Sequence, residues 1–193
     1  MNDVLETIRT RRSIRKYTPE QIPEEILQKI IDAGLWAPGA GGRQSGVMVV
    51  CQDAELNDAL GRANRGAFGA PGAASAFRVS TEQPSIADDP NIPSAFYGAP
   101  AVISLFAPRG MANGPGDCYC MGENMMLAAH ALGIGSCLVA RAESTFAGEL
   151  GQRLLQEWGL SENYAPVCHI VLGYRDGEAP HAKPRREGRV IRV

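Results

Sequence analysis

Thr10-Arg11-Arg12-Ser13-Ile14-Arg15-Lys16-Tyr17 sets four cations around a serine hydroxyl. Guanidinium groups bind phosphate through paired hydrogen bonds, and serine adds one more, so the segment suits an anionic ligand. Two other readings stand beside that one: a solvated basic face, and a nucleic-acid patch. The patch lacks an aromatic platform and a recognised binding motif. A second basic cluster, Lys183-Pro184-Arg185-Arg186, lies near the other end of the chain, with Arg189 and Arg192 beyond it. Its proline favours an extended backbone that can lie across another part of the protein. Two basic clusters meeting around one anion would explain both.

Working outward, residues 2–12 place Val4, Leu5 and Ile8 on one face of a short helix. A second helix is expected from Pro23, with Glu24 and Glu25 favouring its positive end, and Ala37-Pro38-Gly39 stops it. Val47–Cys51 is wholly apolar and reads as a buried strand. A third helix follows over residues 54–63. Residues 65–98 are rich in Gly, Ala, Pro and Ser without sustained periodicity, which suggests a lid or a surface insertion. Phe68, Phe77, Phe96 and Tyr97 argue that part of this segment packs. Further strands are expected over 101–106, 136–139 and 167–172, and helices from Asp117 and over 144–157. Met121, Met125, Ala128 and Leu132 would form a packing stripe. Val190–Val193 could add an edge strand to the basic tail, 175–193. Intermixed strands and helices indicate an α/β or α+β class, and 193 residues suit one domain, 1–193.

The net charge of −2 argues against general nucleic-acid affinity. No run of about 20 apolar residues is present, so no membrane span is expected. Met1–Glu6 carries two acids and no apolar run, unlike a secretory signal. Five cysteines without framework spacing suggest reduced thiols and a cytoplasmic protein. No Gly-x-Gly-x-x-Gly, Walker or Gly-x-Ser-x-Gly motif occurs, and Cys118-Tyr119-Cys120 has the wrong spacing for zinc or iron–sulfur ligation. His130, His169 and His181 are isolated in sequence, with His130 reading as a hydrogen-bonded core residue. No metal site is assigned.

Together these segments resemble the nitroreductase family of FMN enzymes over nearly the whole chain. Arg11–Tyr17 is similar to that family's opening Arg-x-Ser-x-Arg/Lys motif. Ala37-Pro38-Gly39-Ala40-Gly41-Gly42-Arg43-Gln44 stands where the family usually has Ala-Pro-Ser-x-x-Asn-x-Gln-Pro-Trp. Ala129–Cys137 resembles its helix-to-strand passage, and Gly173-Tyr174 followed by Lys183–Arg186 resembles its C-terminal region. The departures are Gly39 for Ser, Gly42 for Asn, and Ser45-Gly46 for Pro-Trp.

The resemblance implies an α+β, three-layer fold with a mostly antiparallel central sheet flanked by helices, assembled as a domain-swapped homodimer with FMN at the interface. It implies that Arg11, Ser13, Lys183 and Arg185 hold the FMN phosphate with Arg12 beside them, and that Arg15 lies near N1 and O2 of the ring. Pro38, Gly39 and Ala40, in the motif that ends at Gln44, would come from the other subunit. Leu138, Val139 and Ala140 would pass the N5 edge, and Asn64 would meet the pyrimidine edge. Arg141 would put a cation near the substrate. The implied chemistry is ping-pong transfer from NADH or NADPH to a small acceptor such as a nitroaromatic or quinone. The cofactor carries that chemistry, so no catalytic side chain is assigned. The alternative is a non-enzymatic flavin-binding sensor or storage protein.

Overall fold

A computed structural model describes residues 4–68 and 79–193. The chain folds in the order α1 (Val4–Thr10), α2 (Glu24–Leu35), β1 (Val47–Cys51), α3 (Ala54–Gly66), β2 (Ala101–Pro108), α4 (Gly114–Ala131), β3 (Gly135–Val139), α5 (Ala142–Thr145), α6 (Glu149–Glu157) and β4 (Tyr164–Gly173), with a 3₁₀ turn at Ala40–Gly42. The four strands form one sheet in the order β1-β2-β4-β3, and every neighbouring pair is antiparallel.

The central strands β2 and β4 are buried on both faces, which is why they read as continuous apolar runs. Alternation along β2 sends Ala101, Ile103, Leu105 and Ala107 to one core, and Val102 and Phe106 to the other. The first core is closed by Leu27 and Ile30 of α2 and by Cys118, Met121, Met125 and Met126 of α4. The second is closed by Leu60 of α3, Phe146, and Leu154 and Leu155 of α6. Helices therefore cover both faces of the sheet, and each fully buried Leu, Ile or Phe contributes about 1.5–3 kcal/mol.

Several expectations need correction. β1 is an edge strand, half-buried to exposed, because only β2 flanks it. The start of α4 is Gly114, with Pro115 in its first turn, and not Asp117. The single helix expected over 144–157 is split into α5 and α6. A Cβ at position 151 would overlap the Phe146 backbone, so Gly151 lets α6 double back against the end of α5. Val190–Val193 forms no strand, and Val190, Ile191 and Val193 are exposed.

Beyond α3 the described part of 65–98 forms no helix or strand, as its aperiodic composition predicts, and it packs in part, as its aromatic residues suggest. Helix α3 runs on to Gly66, and Gln83, Ile86, Ala95 and Phe96 are buried. Phe77 lies outside the described residues.

Candidate functional site

The basic segment after α1 is held as a ribbon between two strands. Ser13 pairs in parallel with Ser136 of β3, and the Ile14 N–H donates to the Ser136 carbonyl at 2.9 Å. Tyr17 pairs antiparallel with Arg175, just past β4, and the Thr18 N–H donates to Tyr174 at 2.9 Å. The fully buried Gln83 clamps this ribbon. Its side-chain oxygen accepts from the Arg15 and Lys16 N–H groups, each at 2.7 Å, while its amide nitrogen donates to the carbonyls of Asp176 (2.9 Å) and Glu178 (3.1 Å). The Arg15 guanidinium donates to the Gln83 carbonyl at 3.3 Å.

The two basic clusters meet. Arg12, Ser13 and Arg15 share a cavity of about 270 Å³ with Lys183 and Arg185. The tail is tied there by a 3.0 Å hydrogen bond between His181 and Glu82, which is the main cause pulling the Glu82 carboxyl down to about 2. Arg11 departs from the expected grouping. It lines an adjoining cavity of about 370 Å³ with Arg12, Arg175, His130 and Ser136. Among the described residues, Arg11 Nε and Nη1 and the Ser136 hydroxyl are buried without hydrogen-bond partners, and the nearest carboxylate, Glu123, is 3.9 Å from Arg11 Nε. Buried donors without acceptors cost about 1–3 kcal/mol each, more when charged, so an anion would be strongly favoured beside Arg11. His130 is half-buried on this cavity wall and not in the core, sharing a 2.8 Å hydrogen bond with the Thr10 hydroxyl. Burial lowers its pKa, with Arg11, Arg12 and Arg175 adding to the effect.

Pro38, Gly39 and Gln44 line a separate cavity of about 440 Å³ with Trp36, Asp117 and Met121. Asp117, in the first turn of α4, accepts from the Ala40 N–H at 3.1 and 3.2 Å and so sets the loop. This geometry accounts for two of the sequence departures. Gly42 has φ +62°, a conformation that Gly and Asn tolerate best. A Cβ at Gly46 would sit 2.6 Å from Met121 Sδ, so any larger side chain at that position would have to displace the buried Met121 side chain. This cavity shares no lining residue with the one at Ser13 and Arg15.

Leu138 and Val139 end β3, and Ala140 leads into Arg141, whose backbone is left-handed (φ 63°, ψ 37°). Such a backbone costs a non-glycine residue about 1–2 kcal/mol, so something must hold it. Asn64 does so. Contrary to its expected place at a ligand edge, Asn64 is fully buried, and its amide donates to the carbonyls of Ala140 (2.8 Å) and Arg141 (3.2 Å) and to the Thr145 hydroxyl (2.9 Å). Its oxygen accepts from Arg141 at 3.2 Å, and the Arg141 guanidinium lies 4.9 Å over the Phe68 ring. His169 extends this network. Fully buried against Phe96 and Phe146, it shares hydrogen bonds with Ser104 (2.8 Å) and Thr145 (3.0 Å), and burial pushes its pKa down to about 3.

Gln83, Asp117 and the Asn64–Thr145–His169 network carried no sequence motif. Asp117 left a trace as an acid near a helix start, Asn64 was named only through the resemblance and in another role, and His169 only as an isolated histidine. No group of His, Cys, Asp or Glu suited to a metal occurs among the described residues, and no helix among them is long and apolar enough to cross a membrane.

Residues 8–174 match the nitroreductase family. A nitroreductase of Mycolicibacterium smegmatis is 30% identical, covering 87% of this chain and 85% of its own. The NADPH-flavin oxidoreductase of Vibrio harveyi is 29% identical, covering 99% and 73%. The crystal structure of an FMN-bound nitroreductase from Bacteroides fragilis superposes with a TM-score of 0.80 at 27% identity, covering both chains in full. The ribbon at Arg11–Tyr17, the antiparallel sheet with helices on both faces and these likenesses agree: the chain belongs to the nitroreductase family of oxidoreductases.

Proposed function

We propose that residues 1–193 act as one FMN-binding domain, within a cytoplasmic homodimer that passes electrons from NADH or NADPH to a small acceptor such as a nitroaromatic or quinone. The observation that carries this reading is the convergence of Arg12, Ser13 and Arg15 with Lys183 and Arg185 on one cavity, beside the unpartnered donors of Arg11. These residues fit a phosphate monoester: guanidinium and ammonium groups supply charge, and Ser13 supplies a hydroxyl donor. Arg15, clamped through Gln83, would place a cation where negative charge accumulates on reduction. FMN, when bound, supplies a two-electron carrier that a reduced nicotinamide can load and an acceptor can discharge in separate half-reactions.

Leu138, Val139 and Ala140 would present backbone to the ring edge. Pro38, Gly39 and Ala40, set by Asp117, would cover the ring of the partner's site. Their separation from the basic cavity within one protomer favours that exchange between subunits. Anaerobic mixing of flavin-loaded protein with NADH and with NADPH tests the reading. Bleaching of the visible flavin absorbance, followed by its recovery on adding a quinone or nitroaromatic, is the expected result. Flavin that neither nicotinamide reduces would leave a binding protein and no oxidoreductase.

A further inference from the structure

Ser104, His169, Thr145 and Asn64 form a continuous buried line of polar side chains from the centre of the sheet to the Ala140–Arg141 turn. Buried polar chains of this kind are retained at low cost only when every member is satisfied. Here Thr145 is the junction, because its hydroxyl accepts from Asn64 at 2.9 Å, meets His169 Nε2 at 3.0 Å and reaches the Arg141 carbonyl at 3.3 Å. We infer that Thr145 is a positioning residue that, with Asn64 and His169, holds the left-handed Ala140–Arg141 turn and so sets the backbone facing the reactive edge of the flavin. The assignment of that edge rests on the proposed function; the latch itself does not.

The hydrogen-bond arithmetic favours one arrangement. His169 is neutral, so one ring nitrogen donates and the other accepts. With the proton on Nε2, His169 donates to Thr145, the Thr145 proton is free for the Arg141 carbonyl, and Ser104 donates to Nδ1. Asn64 then supplies both of its donors to the turn and to Thr145, and its oxygen receives the Arg141 guanidinium. Ser104, His169, Thr145 and Asn64 all have partners, and three side-chain bonds restrain the two residues of the turn, beside the Ser144 and Thr145 N–H groups on the Arg141 carbonyl.

The test uses full-length Thr145→Val, which keeps the shape and removes the hydroxyl, with Thr145→Ser as rescue. Amide exchange at residues 139–142 should rise about tenfold in Thr145→Val, the scale of one lost hydrogen bond, and return in Thr145→Ser. In flavin-loaded protein the midpoint potential should shift by about 30 mV, a tenfold change in relative affinity for oxidised and reduced flavin in a two-electron couple. Ser104→Ala frees the His169 tautomer while sparing Thr145 and Asn64, and should give smaller changes of the same kind. It decides the matter if Thr145→Val does not fold. Unchanged exchange in a folded variant overturns the latch. Faster exchange with an unchanged potential overturns its link to the flavin edge. Wild-type protein that takes up no FMN overturns the functional reading, and the exchange measurement still decides the latch.

Discussion

The side-chain oxygen of Gln83 lies 2.7 Å from the backbone nitrogen of Arg15, joining a residue of an aperiodic segment to the basic ribbon. The same oxygen takes the Lys16 N–H, and the amide nitrogen holds the chain leaving β4. Gln83→Leu strips acceptors and donors from buried backbone, so it should lower stability by about 1–3 kcal/mol. It should also weaken FMN binding, since Arg15 loses its anchor. Urea unfolding and flavin titration check this. Wild-type stability in the variant would remove Gln83 from the site's framework.

Arg185→Ala removes a cation from the cavity shared with Ser13 and Arg15. The expected loss in FMN affinity is about 1.5–3 kcal/mol, the range for a hydrogen bond to a charged group. Riboflavin, which lacks the phosphate, should bind wild type and variant alike. An equal loss for both ligands would contradict a phosphate contact.

His169 sets an acid limit on stability. The unfolded chain protonates it near 6.5, whereas the folded chain does so only near 3. Between those values the unfolded state binds more protons, so stability falls with falling pH, with a limiting slope of about 1.4 kcal/mol per pH unit. His169→Gln keeps a polar side chain without the titration, and its acid limb should be flatter by that amount. Identical limbs from urea midpoints at several pH values would show that His169 is not held neutral.

The loop departures from the family pattern predict opposite outcomes at two glycines. Gly46→Ala drives a Cβ into Met121 Sδ and should cost about 1–3 kcal/mol. Gly42→Asn meets nothing within 4 Å and restores a residue that tolerates φ +62°, so it should stay within about 0.5 kcal/mol of wild type. Thermal unfolding of the two variants separates them, and equal destabilisation would refute the packing argument.

Periodicity and charge made much of this molecule legible. Ile26, Leu27, Ile30 and Ile31 announced α2, the apolar run at 101–106 announced β2, and the basic ends announced the cavity that they share. Antiparallel pairing came from resemblance, since strand order leaves no local pattern. The edge position of β1 was hidden because Val47–Cys51 is apolar although only half-buried. Gln83 was unreadable for another reason: its value lies in four backbone contacts distant in sequence, which composition does not encode. Asn64 was assigned to the ligand through the family resemblance, whereas its bonds are all spent on the 140–145 turn.

The central claim is that two copies of this chain hold FMN through the joined basic clusters. Calorimetric titration of FMN into flavin-free protein, with light scattering on the same sample, addresses it most directly. The account predicts a dimer that takes up one FMN per protomer, with affinity that falls in Arg185→Ala and Arg12→Ala. A folded wild-type protein that binds no FMN, or a monomer that binds it fully, would contradict it.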